Sequence, residues 1–213
     1  MAVFSRLPRL YPILDAGFLA HAGISLEEFS RELRGAGIRF LQYRDKLATD
    51  REMLDRAALL RAIFPASDSC LILNDRAGFV RAAQFDGLHV GQDDTTPASA
   101  REMLGASALI GVSTHNPTQL VSERNRCADY VATGPVYATA SKLNPDPVIG
   151  LAGVREARRL TSKPLVAIGG IHRSNCLAVL DAGADSVAVI SDLLPPPGES
   201  IRRRIEEFLR LTG

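Results

Sequence analysis

Three residues at alternating positions, Gln42, Arg44 and Lys46, stand where an apolar run gives way to polar chain. Alternate residues of an extended strand share a face, so an amide, a forked guanidinium and an ammonium would project together. That set suits a phosphate or diphosphate, since arginine binds two oxygens at once and lysine acts as a point charge. A solvated strand end neutralised by Asp45 and Asp50 is the opposing reading, and spacing alone leaves both open. Asp75 and Asp94 end two later runs, the arrangement needed for two carboxylates to meet one hard cation. Magnesium fits, because it takes one or two protein carboxylates and leaves its other positions to water and phosphate oxygens. A helix N-terminal cap would explain Asp94 as well. Gly169-Gly170 and Ile190-Ser191 close two more apolar runs, and absent side chains let backbone N–H groups approach an anion. Two anion sites at one mouth would imply a phosphate-bearing acceptor joined to a diphosphate-bearing donor.

The elements that must position these groups recur along the chain. Apolar runs at Leu10 to Leu14, Arg39 to Tyr43, Cys70 to Leu73, Gly87 to Val90, Leu109 to Val112, Tyr130 to Thr133, Leu165 to Ile168 and Ser186 to Ile190 read as eight strands. Most are continuous in hydrophobicity, as parallel strands buried on both faces require. Between them lie helical patterns with start signals: Ser25 with Glu28 and Thr49 with Glu52 as capping boxes, and Thr96-Pro97 and Asn116-Pro117 as a cap followed by a first-turn proline. Leu26, Phe29 and Leu33 form one apolar face. Eight alternating units favour a single (β/α)8 barrel over residues 1–213 rather than an open doubly wound sheet. Pro195 to Pro197 then reads as a stiff connector into a last helix over Ile201 to Leu211. In such a barrel the reactive groups sit at the strands' carboxyl ends, which adds Asn74, His89, Ser113, His115, Thr139, Ser141 and Lys142 to the candidates. The segment Gly134 to Gly150 follows the sixth strand and is the longest without periodicity, so it belongs at the mouth.

Composition narrows the classes. At 213 residues, 46% hydrophobic and 23% charged, the chain can bury a sizeable core, which excludes a disordered or collagen-like protein. A formal net charge of +1 gives no long-range field for nucleic acid or an anionic membrane, so an anionic ligand must be held locally. Cys70, Cys127 and Cys176 lack metal or redox spacing and read as reduced thiols. Without a leader or a long apolar stretch, the chain is expected in the cytoplasm, with a homo-oligomer left open. His21 reads as a surface residue, and His89, His115 and His172 each read as hydrogen-bonded packing residues. No nucleophile elbow, Walker loop or GxGxxG stands in the sequence.

At these positions the chain resembles the thiamine phosphate synthase family. The matching stretches are Leu10-Tyr11, Gln42-Tyr43-Arg44-Asp45-Lys46, Asn74-Asp75-Arg76, His89 to Asp94, Gly111 to His115, Gly134 to Tyr137, Ala167 to Ile171 and Val187 to Ser191, in family order over nearly the whole chain. The resemblance implies a transferase that joins hydroxymethylpyrimidine diphosphate to hydroxyethylthiazole phosphate and releases diphosphate. It implies that Gln42, Arg44, Lys46, Asn74 and Lys142 hold the pyrimidine diphosphate, with Tyr43 and Asp45 in the same stretch. Asp75 and Asp94 would hold Mg2+, and Ser113 would face the pyrimidine. Thr139, Ala140, Ser141, Gly170, Ile190 and Ser191 would hold the thiazole phosphate, and Arg44, Lys46, Ser113 and Lys142 would carry the catalysis. Two departures stand out: Gly78 where the family often has an acid, and Ser141 where threonine is more usual. The competing relative is a thiazole tautomerase, which shares the glycine pair but largely lacks the diphosphate and metal residues; a barrel that binds a thiazole phosphate without catalysis is the third reading.

Overall fold

The computed structural model describes residues 7–139, 146–196 and 198–213. Eight parallel strands close into a barrel in chain order: β1 (Leu10–Asp15), β2 (Phe40–Arg44), β3 (Cys70–Asn74), β4 (Gly87–Val90), β5 (Leu109–Thr114), β6 (Tyr130–Thr133), β7 (Leu165–Ile168) and β8 (Ser186–Val189). The helices are α1 (Ala16–His21), α2 (Leu26–Gly35), α3 (Asp50–Ile63), α4 (Pro97–Leu104), α5 (Pro117–Leu120), α6 (Gly150–Leu160), α7 (Cys176–Asp181) and α8 (Ile201–Thr212). The expected (β/α)8 architecture is therefore present, with all eight strands where the apolar runs placed them. Among the described residues no helix is long and apolar enough to cross a membrane.

Local chemistry explains most boundaries. Thr49 and Glu52 form the full reciprocal capping box, whereas Ser25 makes the single bond to the Glu28 N–H. Thr96 and Asn116 cap helices that open on proline, as expected. Ser200 starts α8, whose buried Ile201, Ile205 and Phe208 recur at helical spacing. Two departures are physical. A short α1 follows β1 directly because the Asp15 carboxylate caps it by accepting from the Phe18 N–H. Between β3 and β4 runs only a 3-10 turn, Ala77–Phe79, so Gly78 sits in a tight turn with open space beside it and withdraws no support from a longer helix.

Side chains alternate between two cores. Those pointing outward pack on the helices in a cluster that includes Leu14, Leu41, Tyr43, Leu71, Leu88 and Val112. Those pointing inward, Tyr11, Phe40, Ile72, Tyr130, Ala132 and Val166 among them, fill the barrel itself. The Tyr130 ring fits because its neighbour across the ladder is Gly111, where a Cβ would lie 2.0 Å from the ring.

At the amino-terminal end of the barrel one device occurs three times. Asp86, Asp129 and Asp185 each stand one residue before an even-numbered strand. Each donates its backbone N–H to the carbonyl of Leu71, Ile110 or Leu165 in the preceding strand, and its carboxylate accepts that same residue's N–H. An arginine from the helix before that strand closes the clasp: Arg61 at 2.6 Å, Arg101 at 2.6 Å and Arg158 at 2.8 Å. We expect Asp129→Ala to leave the buried Ile110 N–H unpaired and to cost about 1–3 kcal/mol in urea unfolding. Activity per folded molecule should not change, because the clasp is at the end of the barrel away from the strands' carboxyl termini.

Candidate active site

The carboxyl ends of the strands enclose a cavity of about 730 Å3, within the range that holds a small ligand. Alternation along β2 sends Gln42 and Arg44 into it, and Lys46 follows from the loop beyond. Asn74, Asp75, Asp94, Ser113, Thr139, Gly170, Ile190 and Ser191 line the same space. Tyr43 and Asp45 do not. Tyr43 is fully buried against the helices, and its hydroxyl donates to Asp45 at 2.9 Å. Asp45 also takes Arg56 and the Ala48 N–H, so this pair fastens the β2 loop to α3 instead of facing a ligand. Ala140, Ser141 and Lys142 lie outside the described residues.

The cationic prong exists, but each cation already holds a carboxylate. Arg44 pairs with Asp15, which is almost wholly buried at the end of β1, and Lys46 pairs with Asp75. Sequence reasoning missed Asp15 because the first strand was read only to Leu14; the rule that selected Asn74 at a strand end applies to it equally. Among the described lining residues two cations, Arg44 and Lys46, stand with four acids, Asp75, Asp93, Asp94 and Asp146, so acids outnumber lysine and arginine in that set.

Asp75 sits in left-handed backbone, φ 54°, as does Arg76 at φ 44°. That costs of order 1–3 kcal/mol per residue, and the neighbourhood holds it: the Asp75 N–H donates to the His89 carbonyl, and Arg76 is tied to Asp50 and the Ala48 carbonyl. Burial raises the Asp75 carboxyl above the usual range; the Lys46 ammonium opposes this, and the Asp94 carboxyl beside it reinforces it. Asp94 caps no helix, that role falling to Thr96, but accepts the Gly91 N–H and closes its own loop. Two adjoining carboxylates, one of them destabilised as an anion, are a donor set of oxygens suited to a hard dication. Among the described residues no three of His, Cys, Asp or Glu are placed to hold one metal ion together.

On the other side of the ring, Gly169 and Gly170 adopt φ values of 98° and 61°. A Cβ on Gly170 would lie 2.5 Å from the Ala138 carbonyl oxygen. The pair therefore does more than turn the chain: it admits the β6 loop alongside, where the Tyr137 N–H bonds to the Gly169 carbonyl at 3.0 Å.

Beneath the mouth a hydrogen-bonded series crosses the interior. Gln42 Nε2 donates to the Tyr11 hydroxyl at 3.0 Å, Tyr11 meets Tyr130 at 2.9 Å, Tyr130 meets His89 Nδ1 at 3.0 Å, and His89 Nε2 meets Ser113 Oγ at 2.9 Å. His89 is thus hydrogen-bonded as expected, yet it also lines the cavity. His115 bonds to the Gly134 carbonyl, and His21 is exposed. Burial pushes the His89 pKa from 6.5 down to about 4, and burial raises both tyrosines. Below pH 6.5 the unfolded chain therefore takes up a proton that the folded ring refuses. Stability from this group is complete above pH 6.5 and lost as the pH falls toward 4. We expect His89→Gln to flatten that part of a plot of urea midpoint against pH. Tyr43→Phe, by contrast, should cost about 1 kcal/mol of stability and leave substrate KM values unchanged in steady-state assays.

A family model described as thiamine monophosphate synthase matches residues 10–193. The thiamine-phosphate synthase of Koribacter versatilis is 50% identical over 213 residues, covering 99% of each chain. That of Chloroflexus aurantiacus is 40% identical over 86% of this chain and 83% of its own. Among solved structures, thiamine phosphate pyrophosphorylase from Pyrococcus furiosus superposes with a TM-score of 0.82 at 28% identity, covering 96% and 95% of the two chains.

Proposed function

Because the chain belongs to the thiamine monophosphate synthase family, we propose that it joins hydroxymethylpyrimidine diphosphate to hydroxyethylthiazole phosphate, forming thiamine phosphate and diphosphate. The observation that carries this reading is the gathering, around one cavity, of Gln42, Arg44, Lys46, Asp75 and Asp94 from β2 to β4, the Gly169-Gly170 turn after β7 and the Ile190-Ser191 turn after β8. In a closed ring of eight, β3 stands opposite β7. A diphosphate on one side and a monophosphate on the other would bring the two rings together over the barrel interior.

The bond from the pyrimidine methylene carbon to the diphosphate oxygen breaks with its electrons leaving on diphosphate, and the thiazole nitrogen supplies the pair for the new carbon–nitrogen bond. No proton need move, which suits a site whose buried histidine stays neutral. Arg44 and Lys46 would hold the departing oxygens, Lys46 exchanging Asp75 for them; Lys142 would add a third cation. Asp75 and Asp94 would hold Mg2+, which supplies Lewis-acid charge to the leaving group. Asp15 sharpens the charge balance, since the site is more acidic than the cationic prong alone suggests.

Purified protein with both substrates and Mg2+ should release thiamine phosphate and diphosphate in equal amounts; neither product would overturn the assignment. Excess chelator should abolish turnover, and Asp94→Asn should raise the magnesium concentration for half-maximal rate. Lys46→Ala and Lys142→Ala should each lower the single-turnover rate per folded molecule by about 10²–10³.

A further inference from the structure

The series Gln42, Tyr11, Tyr130, His89 and Ser113 draws one residue from each of β2, β1, β6, β4 and β5, and its first four members are buried. A hydroxyl carries one hydrogen, a neutral imidazole one, and an amide nitrogen can only donate, so the direction of each bond constrains the next. Gln42 Nε2 donates to the Tyr11 oxygen. The order that leaves every buried hydrogen of the series with an acceptor sends the Tyr11 hydrogen to the Tyr130 oxygen and the Tyr130 hydrogen to His89 Nδ1. The neutral ring carries its hydrogen on Nε2 and gives it to Ser113 Oγ. The Ser113 hydrogen is the one that no member of the series uses, and Ser113 lines the cavity.

We propose that this series fixes the proton order across the barrel, making Tyr11, Tyr130 and His89 positioning residues that present Ser113 to the substrate as a hydrogen-bond donor. Resting on the function proposed above, the matching acceptor is a ring nitrogen of the aminopyrimidine. The neighbourhood keeps the series in place. Tyr130 occupies the space left at Gly111, Tyr11 packs edge-on to Phe40 with centroids 4.8 Å apart, and Gln92 Nε2 bonds to the Ser113 carbonyl. A reversed order, with Ser113 donating to His89, needs an acceptor in place of the Gln42 amide nitrogen. Substitution can therefore impose it.

Imidazole 15N spectra of the full chain, with the His89 signals assigned by their loss in His89→Gln, read the order directly. The proposal expects the His89 proton on Nε2 with Nδ1 unprotonated. Gln42→Glu puts an acceptor at the far end and should move that proton to Nδ1, three hydrogen bonds away. A proton on Nδ1 in the parent, or an unchanged tautomer in Gln42→Glu, would overturn the proposal. Tyr130→Phe keeps the ring and removes the link. It should raise KM for the pyrimidine diphosphate by about threefold to tenfold, the range of one hydrogen bond, and leave KM for the thiazole phosphate unchanged. Combined with Ser113→Ala it should be no worse than Ser113→Ala alone, because the two act through one interaction. Additive losses, or equal rises in both KM values, would overturn the positioning role. The spectra need no substrate, so they judge the proton order even if thiamine phosphate formation fails, and product formation alone judges the reaction.

Discussion

The sheet closes where Leu10 pairs with Val187, Tyr11 with Ala188 and Pro12 with Val189, and every other placement depends on that junction. Once β1 and β8 are joined there is no free edge, and the eight strands hold their carboxyl ends in one ring. Strict alternation then decides which side chains meet. Within β2 it sends Phe40, Gln42 and Arg44 inward and Leu41 and Tyr43 outward. A slip of one residue would exchange the cavity-facing amide for a tyrosine and put a guanidinium among the helices. Register, more than any single contact, makes the site.

The electrostatics of the mouth follow from keeping cations ready without a ligand. The Arg44 guanidinium is mostly buried, and left unpaired there it would be costly. Asp15 and Asp75 supply the partners of Arg44 and Lys46 at the mouth. For the proposed reaction the substrate must bring enough negative charge to displace a carboxylate, and a neutral ring of the same shape would gain little from these residues. The pair outside the barrel, Arg56 with Asp45, follows the same rule for a purely structural end.

The sequence made the fold readable because its signals were local: continuous apolar runs, a first-turn proline after Thr96 and Asn116, and a reciprocal cap at Thr49. The inward positions of Gln42, Arg44 and Asn74 were readable for the same reason. What was not readable depends on partners far along the chain. Tyr43 and Asp45 share a stretch with Gln42 and Arg44, and only the path of α3, which brings Arg56 beside them, shows that they face away. Tyr11 and Tyr130 meet across 119 positions, and nothing in either strand alone marks a polar contact inside an apolar barrel. The three aspartate clasps did leave a trace, an aspartate just before each of β4, β6 and β8, with its arginine 25, 28 or 27 residues upstream.

Those clasps also divide the molecule. Each ties a helix, the odd-numbered strand after it and the start of the next even-numbered strand into one unit, and none of them spans the loops after β2, β4 or β6. These three connections are seams. Lys46, Asp94 and the long stretch after β6 lie on them, so their length and sequence can vary without pulling on a clasp. The loops after β3, β5 and β7 run inside a unit and have no such freedom. A lineage that needed a different substrate could rebuild the parts of these seams that make no tie of their own, keeping Asp45 on Arg56 and Tyr137 on Gly169, and inherit the barrel unchanged.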